Sequence, residues 1–370
     1  MIERIIQPEI ESKFGKKKAI IVVGPRQVGK TTLLENILKN KQHLFLNCDD
    51  PTVRALLTNA NIQQLRSLIG NNNIVFIDEA QRIQNIGITL KLITDTFKSV
   101  QLIASGSSAL ELSNNLKEPL TGRKWEYELW PISWKEFEKS VDYLKAEQQL
   151  ELRIVYGMYP DVINHAGEEV QVLQELTSSY LYKDLLSYGG IRKPEILEKL
   201  LHALALQLGN EVSYNELSAL IGVDKKTIAA YIDLLQKAYV IFRLGSFSRN
   251  LRNEIKTNQK IYFVDTGIRN AVIGNFTPFD LRQDKGALWE NFLIAERRKK
   301  IMYGQTQTRS YFWRTVQQQE IDYVEEDNGA ITGYEIKWAL NAKLKAYNTF
   351  KDAYKAGIIL INRQNFRDFV

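Results

Sequence analysis

A glycine-rich loop near the start of the chain carries the clearest chemical pattern. It has the spacing G-x-x-x-x-G-K-[ST], and it lies between the apolar run 19–23 and a stretch of helical spacing that begins at Leu33. Loop amides and the following helix N-terminus can bind a polyphosphate. Lys30 would add a positive charge, and Thr31 a hydroxyl ligand for Mg²⁺. We predict a phosphate-binding loop made of Gly24, Pro25, Arg26, Gln27, Val28, Gly29, Lys30, Thr31 and Thr32.

Two carboxylates follow a second apolar run. Residues 74–77 are apolar, and Asp78 and Glu79 come directly after them. In a parallel α/β sheet the carboxyl ends of the strands form the edge where ligands bind. Many buried strands end in acids, so this pattern alone is weak evidence for a site. Together with the phosphate loop upstream it is strong evidence. We predict that Asp78 holds Mg²⁺ through a water molecule and that Glu79 orients or activates the attacking water.

The elements around these groups follow from hydrophobic patterning. Residues 1–18 have the spacing of a short amphipathic helix, and residues 43–47 and 101–104 read as further strands. The strand over 101–104 runs into a Ser/Gly turn that contains Ser105 and Ser107. The pattern therefore predicts a parallel α/β sheet with the phosphate loop after its first strand.

Several of these motifs occur together in one known family. The chain resembles a large prokaryotic family of AAA-type P-loop ATPases with a C-terminal domain of unknown function, and the resemblance extends over the whole chain. The motifs that carry it are GPRQVGKTT at 24–32, DEAQ at 78–81, SGSS at 105–108, TGR at 121–123 and WPIS at 130–133.

The resemblance implies ATP and Mg²⁺ as cofactors, and the sequence has no guanine-specific N-K-x-D element. It also implies that Ser105 or Ser107 senses the γ-phosphate, although a plain turn fits these residues nearly as well. Arg123 would reach the transition-state phosphate from its own or a neighbouring subunit, or it is a surface or interdomain arginine. Tyr182-Lys183-Asp184 departs from the Arg-Asp pair of the family, so no role for that arginine is transferred.

Residues 194–265 predict a winged helix-turn-helix. Ser213 and Glu216 have capping-box spacing, and a recognition-type helix begins near Asp224. Contacts with DNA would come from Lys225, Lys226 and Thr227. The module serves equally well as a protein-interaction scaffold. The nearby basic residues, which favour DNA slightly but also suit a solvated face, are Arg243, Arg249, Arg252, Lys256 and Lys260.

The last hundred residues contain a second set of acids. Strand alternation places Glu335 and Lys337 on one face, and a hairpin turn at Asp327-Asn328-Gly329 returns that face beside Asp322. With Glu290, these residues resemble the E…D…ExK set of restriction-endonuclease-like folds, where carboxylates hold a metal ion. The alternative is a nuclease-like fold retained for binding or architecture.

Composition limits the remaining classes. A chain of 370 residues is long for one core, so two or three domains are expected. A single cysteine, Cys48, excludes an internal disulfide, and together with the absence of a long apolar run it predicts a cytoplasmic protein without a membrane segment. The net charge of +6 permits DNA binding without requiring it. A homo-oligomer and an unidentified protein partner stay open.

These inferences give an α/β fold: a P-loop NTPase parallel sheet with a helical lid, a winged-helix module and a small α/β PD-(D/E)xK nuclease-like domain. The predicted divisions are 1–150, 151–193, 194–265 and 266–370. The predicted function is Mg²⁺-dependent ATP binding and hydrolysis by Lys30, Glu79 and Arg123, which switches a C-terminal DNA-binding or nuclease-like region. The alternatives are a nucleotide-regulated protein-interaction switch and an ATP-gated metal-dependent nuclease.

Overall fold

The chain divides into two compact units. The computed structural model describes residues 2–107, 120–181, 193–248, 259–315, 317–344 and 348–370. The N-terminal unit comprises Met1–Ile132 with Lys237–Tyr239, and the C-terminal unit comprises Ser133–Gln236 with Val240–Val370. The boundary thus falls directly after the WPI part of the WPIS motif.

The N-terminal unit is built on a parallel sheet. Its strands are β1 (Ala19–Val23), β2 (Leu44–Asn47), β3 (Ile74–Asp78), β4 (Gln101–Gly106) and β5 (Lys124–Glu128). Their order is β2-β3-β4-β1-β5, and every pairing is parallel. All residues of β1 and β4 are buried, as expected for central strands covered on both faces. The predicted parallel α/β sheet is confirmed.

The helices of this unit begin at recognisable caps. Asp50 accepts a hydrogen bond from the Thr52 amide, and Asn61 forms a capping box with Gln64. The helix after the phosphate loop starts at Gly29, whose φ of 88° is left-handed and suits glycine. The helices are α1 (Gln7–Ser12), α2 (Lys30–Leu38), α3 (Pro51–Leu57), α4 (Ile62–Ile69) and α5 (Ile86–Thr96). The lead-in helix is shorter than the predicted 1–18.

The C-terminal unit begins with four helices that precede the region of the predicted helix-turn-helix. They are α6 (Trp134–Val141), α7 (Tyr143–Tyr156), α8 (Pro160–Asn164) and α9 (Glu169–Glu175). The helices that follow are α10 (Pro194–Leu206), α11 (Tyr214–Ile221), α12 (Lys225–Lys237), α13 (Thr266–Val272), α14 (Lys285–Tyr303), α15 (Asn348–Tyr354) and α16 (Phe366–Phe369).

One mixed sheet runs through this unit in the order β12-β11-β10-β9-β7-β8-β6. Its strands are β6 (Glu211–Val212), β7 (Ile241–Ser246), β8 (Gln259–Phe263), β9 (Arg309–Arg314), β10 (Glu320–Asp327), β11 (Ala330–Ile336) and β12 (Gly357–Ile361). The hairpin β7–β8 joins the rest of the sheet where β7 pairs in parallel with β9. The predicted division between residues 265 and 266 therefore falls between elements of one compact unit.

The predicted hairpin in this sheet is present. Strands β10 and β11 are antiparallel and are joined through Asn328 and Gly329, whose φ values of 49° and 85° are both positive. Tyr323 pairs with Tyr334, so Asp322 and Glu335 come close across the two strands. On the other side of β11, the amide of Lys337 extends the pairing with β12 by donating to the Ile361 carbonyl at 2.9 Å.

Candidate nucleotide-binding site

The phosphate loop has a backbone that only certain residues can adopt. Gly24 has a φ of +152°, and a Cβ atom there would lie 2.0 Å from the carbonyl oxygen of Leu129. Gln27 and Gly29 also have positive φ values, 59° and 88°. The first glycine is therefore required by the close approach of the chain after β5, and the second by the left-handed start of α2.

The predicted lysine is buried at the loop. Lys30 is 5% exposed, and its ammonium donates hydrogen bonds to the carbonyl oxygens of Gly24, at 3.1 Å, and Pro25, at 2.6 Å. The charge is thus fixed beside the first residues of the loop rather than extended into solvent. This position suits a lysine that binds phosphate as a point charge.

Hydroxyl and carboxylate groups meet at the carboxyl ends of β3 and β4. The Thr31 hydroxyl donates to Asp78 Oδ2 at 2.8 Å, and the Ser105 hydroxyl bonds to Asp78 Oδ1. Asp78 and Ser105 are both buried. Hard oxygen donors of this type are those that Mg²⁺ prefers, so the residues present fit the metal that P-loop chemistry uses. The structure thereby brings together two of the residues predicted to bind Mg²⁺.

Glu79 is held by a residue whose role the sequence did not predict. Glu79 has a left-handed backbone, with a φ of 51°, and its carboxylate accepts a hydrogen bond from the Gln81 amide. The same amide nitrogen donates to Ser107 Oγ at 2.8 Å, and the Ser107 amide donates back to Gln81 Oε1 at 3.3 Å. Gln81 therefore connects the predicted water-directing carboxylate to the end of β4. Gln81 is part of the DEAQ motif, but its contacts with Glu79 and Ser107 could be found only in the structure.

A second unpredicted contact comes from the N-terminal segment. Arg4 is 7% exposed, and its guanidinium donates to the Val28 carbonyl at 2.7 Å and to the Trp130 carbonyl at 2.6 Å. It thus links the phosphate loop to the segment after β5. In the sequence Arg4 was one polar residue in an amphipathic pattern, and nothing nearby signalled its partner 24 residues away.

Arg123 makes the contacts of a surface residue. Its Nε lies 2.8 Å from Asp95 Oδ1, and the two side chains are 41% and 36% exposed. The hydrogen bond from Arg123 holds the pKa of Asp95 below its ordinary value. The structure joins Arg123 to α5, and its predicted role at a transition-state phosphate stays a prediction.

The predicted second metal site consists of acids that are paired with lysines. Lys337 Nζ lies 2.9 Å from Asp322 and 3.0 Å from Glu335. Glu290 is instead bound by Lys260, at 3.2 Å, and by the Tyr262 hydroxyl. Among the described residues, no group of three or more His, Cys, Asp or Glu side chains stands close enough to hold a metal ion. The predicted set does not form such a metal centre.

Ionisation reflects the crowding of these groups. Burial raises the pKa of Glu290 to about 7, and Lys260 opposes this shift while Asp322 adds to it. Burial alone would lower the pKa of Lys260, but the surrounding carboxylates outweigh it and raise that pKa.

The predicted DNA contacts lie at the start of α12. Lys225 and Lys226 are exposed, whereas the Thr227 hydroxyl donates to Asp224 at 2.6 Å as part of the helix cap. Lys260 was also counted among the basic residues near this site. That interpretation was wrong, because Lys260 is only 1% exposed and paired with acids. Tyr182-Lys183-Asp184, Arg249, Arg252 and Lys256 lie outside the described residues.

Within the part of the chain that the structure describes, no helix combines the length and apolarity needed to cross a membrane.

Three family models match the chain in succession. Residues 16–138 match an AAA domain, residues 147–278 a domain of unknown function (DUF8612), and residues 285–368 a domain of unknown function (DUF4143). The first match covers every strand of the parallel sheet, including the phosphate loop.

Similar proteins occur in bacteria and archaea. An uncharacterized protein of Mycobacterium tuberculosis is 26% identical over 322 residues, covering 86% of this chain and 70% of its own length. An uncharacterized protein of Methanocaldococcus jannaschii is 24% identical over 348 residues, covering 87% of this chain and 75% of its own length.

A solved structure has the same fold. The Walker-type ATPase PABY2304 of Pyrococcus abyssi superposes with a TM-score of 0.52 at 16% identity, covering 74% of this chain and 96% of that chain. The predicted family is confirmed by these findings together with the AAA and DUF4143 matches. The chain therefore carries an AAA domain followed by a DUF4143 domain, which is the arrangement of the prokaryotic AAA-type P-loop ATPases that its sequence resembles.

Proposed function

We propose that this protein binds ATP with Mg²⁺ and hydrolyses it to ADP and phosphate. The observation that carries the proposal is the meeting of Thr31, Asp78 and Ser105 at the end of β3, directly after a phosphate loop with a buried Lys30. Phosphoryl transfer depends almost entirely on positioning and charge stabilisation, and these groups supply both. The preference for ATP follows from the family.

The residues divide the work as follows. The loop amides and the N-terminus of α2 bind the phosphates, and Lys30 adds its charge. Thr31 and Asp78 would hold Mg²⁺, which neutralises charge on the phosphate oxygens when it is bound. Glu79 orients the attacking water and accepts its proton. The Gln81 amide contacts one oxygen of Glu79, and a carboxylate has further acceptor sites, so Glu79 can accept from the water while Gln81 holds it in place.

Hydrolysis tests the first part of this proposal. Glu79→Gln preserves the shape of the side chain but removes the base, so we expect ATP binding to persist while kcat falls by about 10²–10⁴-fold. The matched control is Glu35→Gln, which changes an exposed carboxylate on α2. An unchanged kcat in Glu79→Gln would refute the assigned role.

We further propose that nucleotide state switches DNA binding by the C-terminal unit. Support comes from the order helix, strand, helix, helix, strand, strand over α10 to β8, which is that of a winged helix. The exposed Lys225 and Lys226 at the start of the second helix of the pair would contact phosphates. In the same proposal, Ser107 senses the γ-phosphate and Arg123 completes the ATP site. A homo-oligomer would let Arg123 reach the site of a neighbouring subunit.

Salt dependence distinguishes DNA binding from its alternatives. Lys225→Ala and Lys226→Ala should each weaken binding of a DNA duplex. Each should also reduce the slope of log affinity against log salt concentration by about one, because one phosphate contact is lost. Lys199→Ala, on an exposed position of α10, is the control. If the affinity for DNA changes neither with salt concentration nor with either substitution, the protein-interaction switch is the better explanation. DNA cleavage that Asp322→Ala abolishes would instead support the nuclease.

A further inference from the structure

A buried lysine lies among acids from two elements of the C-terminal unit, the helix α14 and the strand β10. Lys260, on β8, is 1% exposed, and its ammonium lies 3.2 Å from Glu290 on α14 and 2.5 Å from Glu320 on β10. Asp322 adds electrostatic attraction, and the aromatic ring of Phe312 lies 5.6 Å from the ammonium. One cation thus joins a helix to two strands of the sheet.

The acids around Lys260 are held in place by further contacts. The Tyr262 hydroxyl donates to the same oxygen of Glu290 that Lys260 contacts, at 2.5 Å. Asp322 accepts a hydrogen bond from the Ile336 amide at 2.8 Å and pairs with Lys337. The acids are therefore held in place, with carboxylate oxygens of Glu290 and Glu320 beside the Lys260 ammonium.

Charge explains why the lysine must be there. Burying carboxylates close to one another is costly unless a cation neutralises them, and burying an ammonium is costly unless anions surround it. In many carboxylate clusters a divalent metal meets this need. Here Lys260 meets it, because its side chain extends from β8 and contacts Glu290 on α14 and Glu320 on β10 together.

We propose that Lys260 is the resident cation of this carboxylate cluster and takes the place that a divalent metal ion would have beside Glu290. The inference is independent of ATP hydrolysis. Of the E…D…ExK set it concerns Glu290, whereas Asp322 and Glu335 are paired with Lys337. It also means that metal-dependent cleavage at this cluster would first require Lys260 to leave Glu290.

Substitution of Lys260 tests the proposal in the full-length chain without nucleotide. Lys260→Met keeps most of the side-chain volume and removes the charge. We expect it to lower the midpoint of thermal unfolding by about 10 °C in EDTA. Millimolar Mn²⁺ should recover at least half of that loss, because acids that have lost their lysine then accept a metal ion. The wild-type midpoint should not change with Mn²⁺, apart from any effect of the Thr31 and Asp78 site that both proteins share.

A second variant keeps the test informative when the first does not fold. Lys260→Met combined with Glu290→Gln removes one charge of each sign, and we expect it to be more stable in EDTA than Lys260→Met alone and indifferent to Mn²⁺. The proposal is overturned if the double variant is no more stable than the single one, or if Mn²⁺ fails to recover Lys260→Met. It is also overturned if electron paramagnetic resonance shows that wild-type protein binds Mn²⁺ in a manner that Glu290→Gln abolishes.

Discussion

Arg4 is expected to set the ATP affinity of a loop to which it does not belong in sequence. Its guanidinium holds the carbonyl oxygen of Val28, and in a trans peptide the following amide, that of Gly29, points in the opposite direction. That amide is at the N-terminus of α2, where backbone donors lack helical partners and bind anions. Arg4 therefore orients a donor for phosphate from the far side of the peptide. Arg4→Met removes this contact.

The magnitude follows from the two hydrogen bonds. Each joins a buried charged donor to a carbonyl and is worth about 1.5–3 kcal/mol. Loss of both should reduce the free energy of unfolding of the N-terminal unit by about 3–6 kcal/mol. If the Gly29 amide then loses one charge-assisted bond to phosphate, at about 1.5–2 kcal/mol, ATP affinity falls by about 10–30-fold.

Three measurements separate orientation from simple stability. In Arg4→Met, ATP affinity should fall and KM should rise, while kcat stays within a few-fold of the wild-type value. Urea denaturation measures the loss of stability. Arg4→Lys keeps the charge but cannot reach the Val28 and Trp130 carbonyls together, so its affinity should be intermediate. Lys16→Met, which removes an exposed cation from the same segment, is the control. An ATP affinity within twofold of wild type, together with lowered stability, would show that Arg4 only supports the fold.

Two further predictions concern the surroundings of the loop. Gly24→Ala should destabilise the N-terminal unit by about 1–3 kcal/mol and weaken ATP binding, since its Cβ would lie 2.0 Å from the Leu129 carbonyl oxygen; normal urea denaturation would contradict this contact. Burial raises the pKa of Cys48 from 9.0 to about 12, so between these values the unfolded thiol has lost its proton while the folded one retains it. Stability should therefore fall as pH rises through this window, and less steeply in Cys48→Ala; equal slopes would show that the thiol is not shielded.

The parallel sheet and the phosphate loop could be predicted because their signals are local. Continuous apolar runs specify strands buried on both faces, and the glycine spacing specifies the turn between β1 and α2. The hairpin through Asn328 and Gly329 was equally readable, since two positive φ values favour that pair of residues. In each case the residues that determine the structure are neighbours in sequence.

The parts that escaped prediction depend on contacts between distant residues. Arg4 meets Trp130, and Gln81 meets Ser107, through side chains whose types suit many other positions. Lys260 illustrates the same limit, because a lysine is usually exposed and only the positions of Glu290 and Glu320 explain its burial. The sequence shows which groups are present, but the pairing of charges depends on the sheet.

The parallel pairing of β7 with β9 has a consequence during synthesis. Gly245 pairs with Tyr311, so β7 is made about 65 residues before its partner. At a translation rate of about 5–20 residues per second, this edge of β7 waits on the order of 3–13 s after it is synthesised. An unpaired strand edge is a template for aggregation, and β8 can cover only the opposite side. The speed of the ribosome over this interval therefore bears on how much of the newly made chain reaches its folded state.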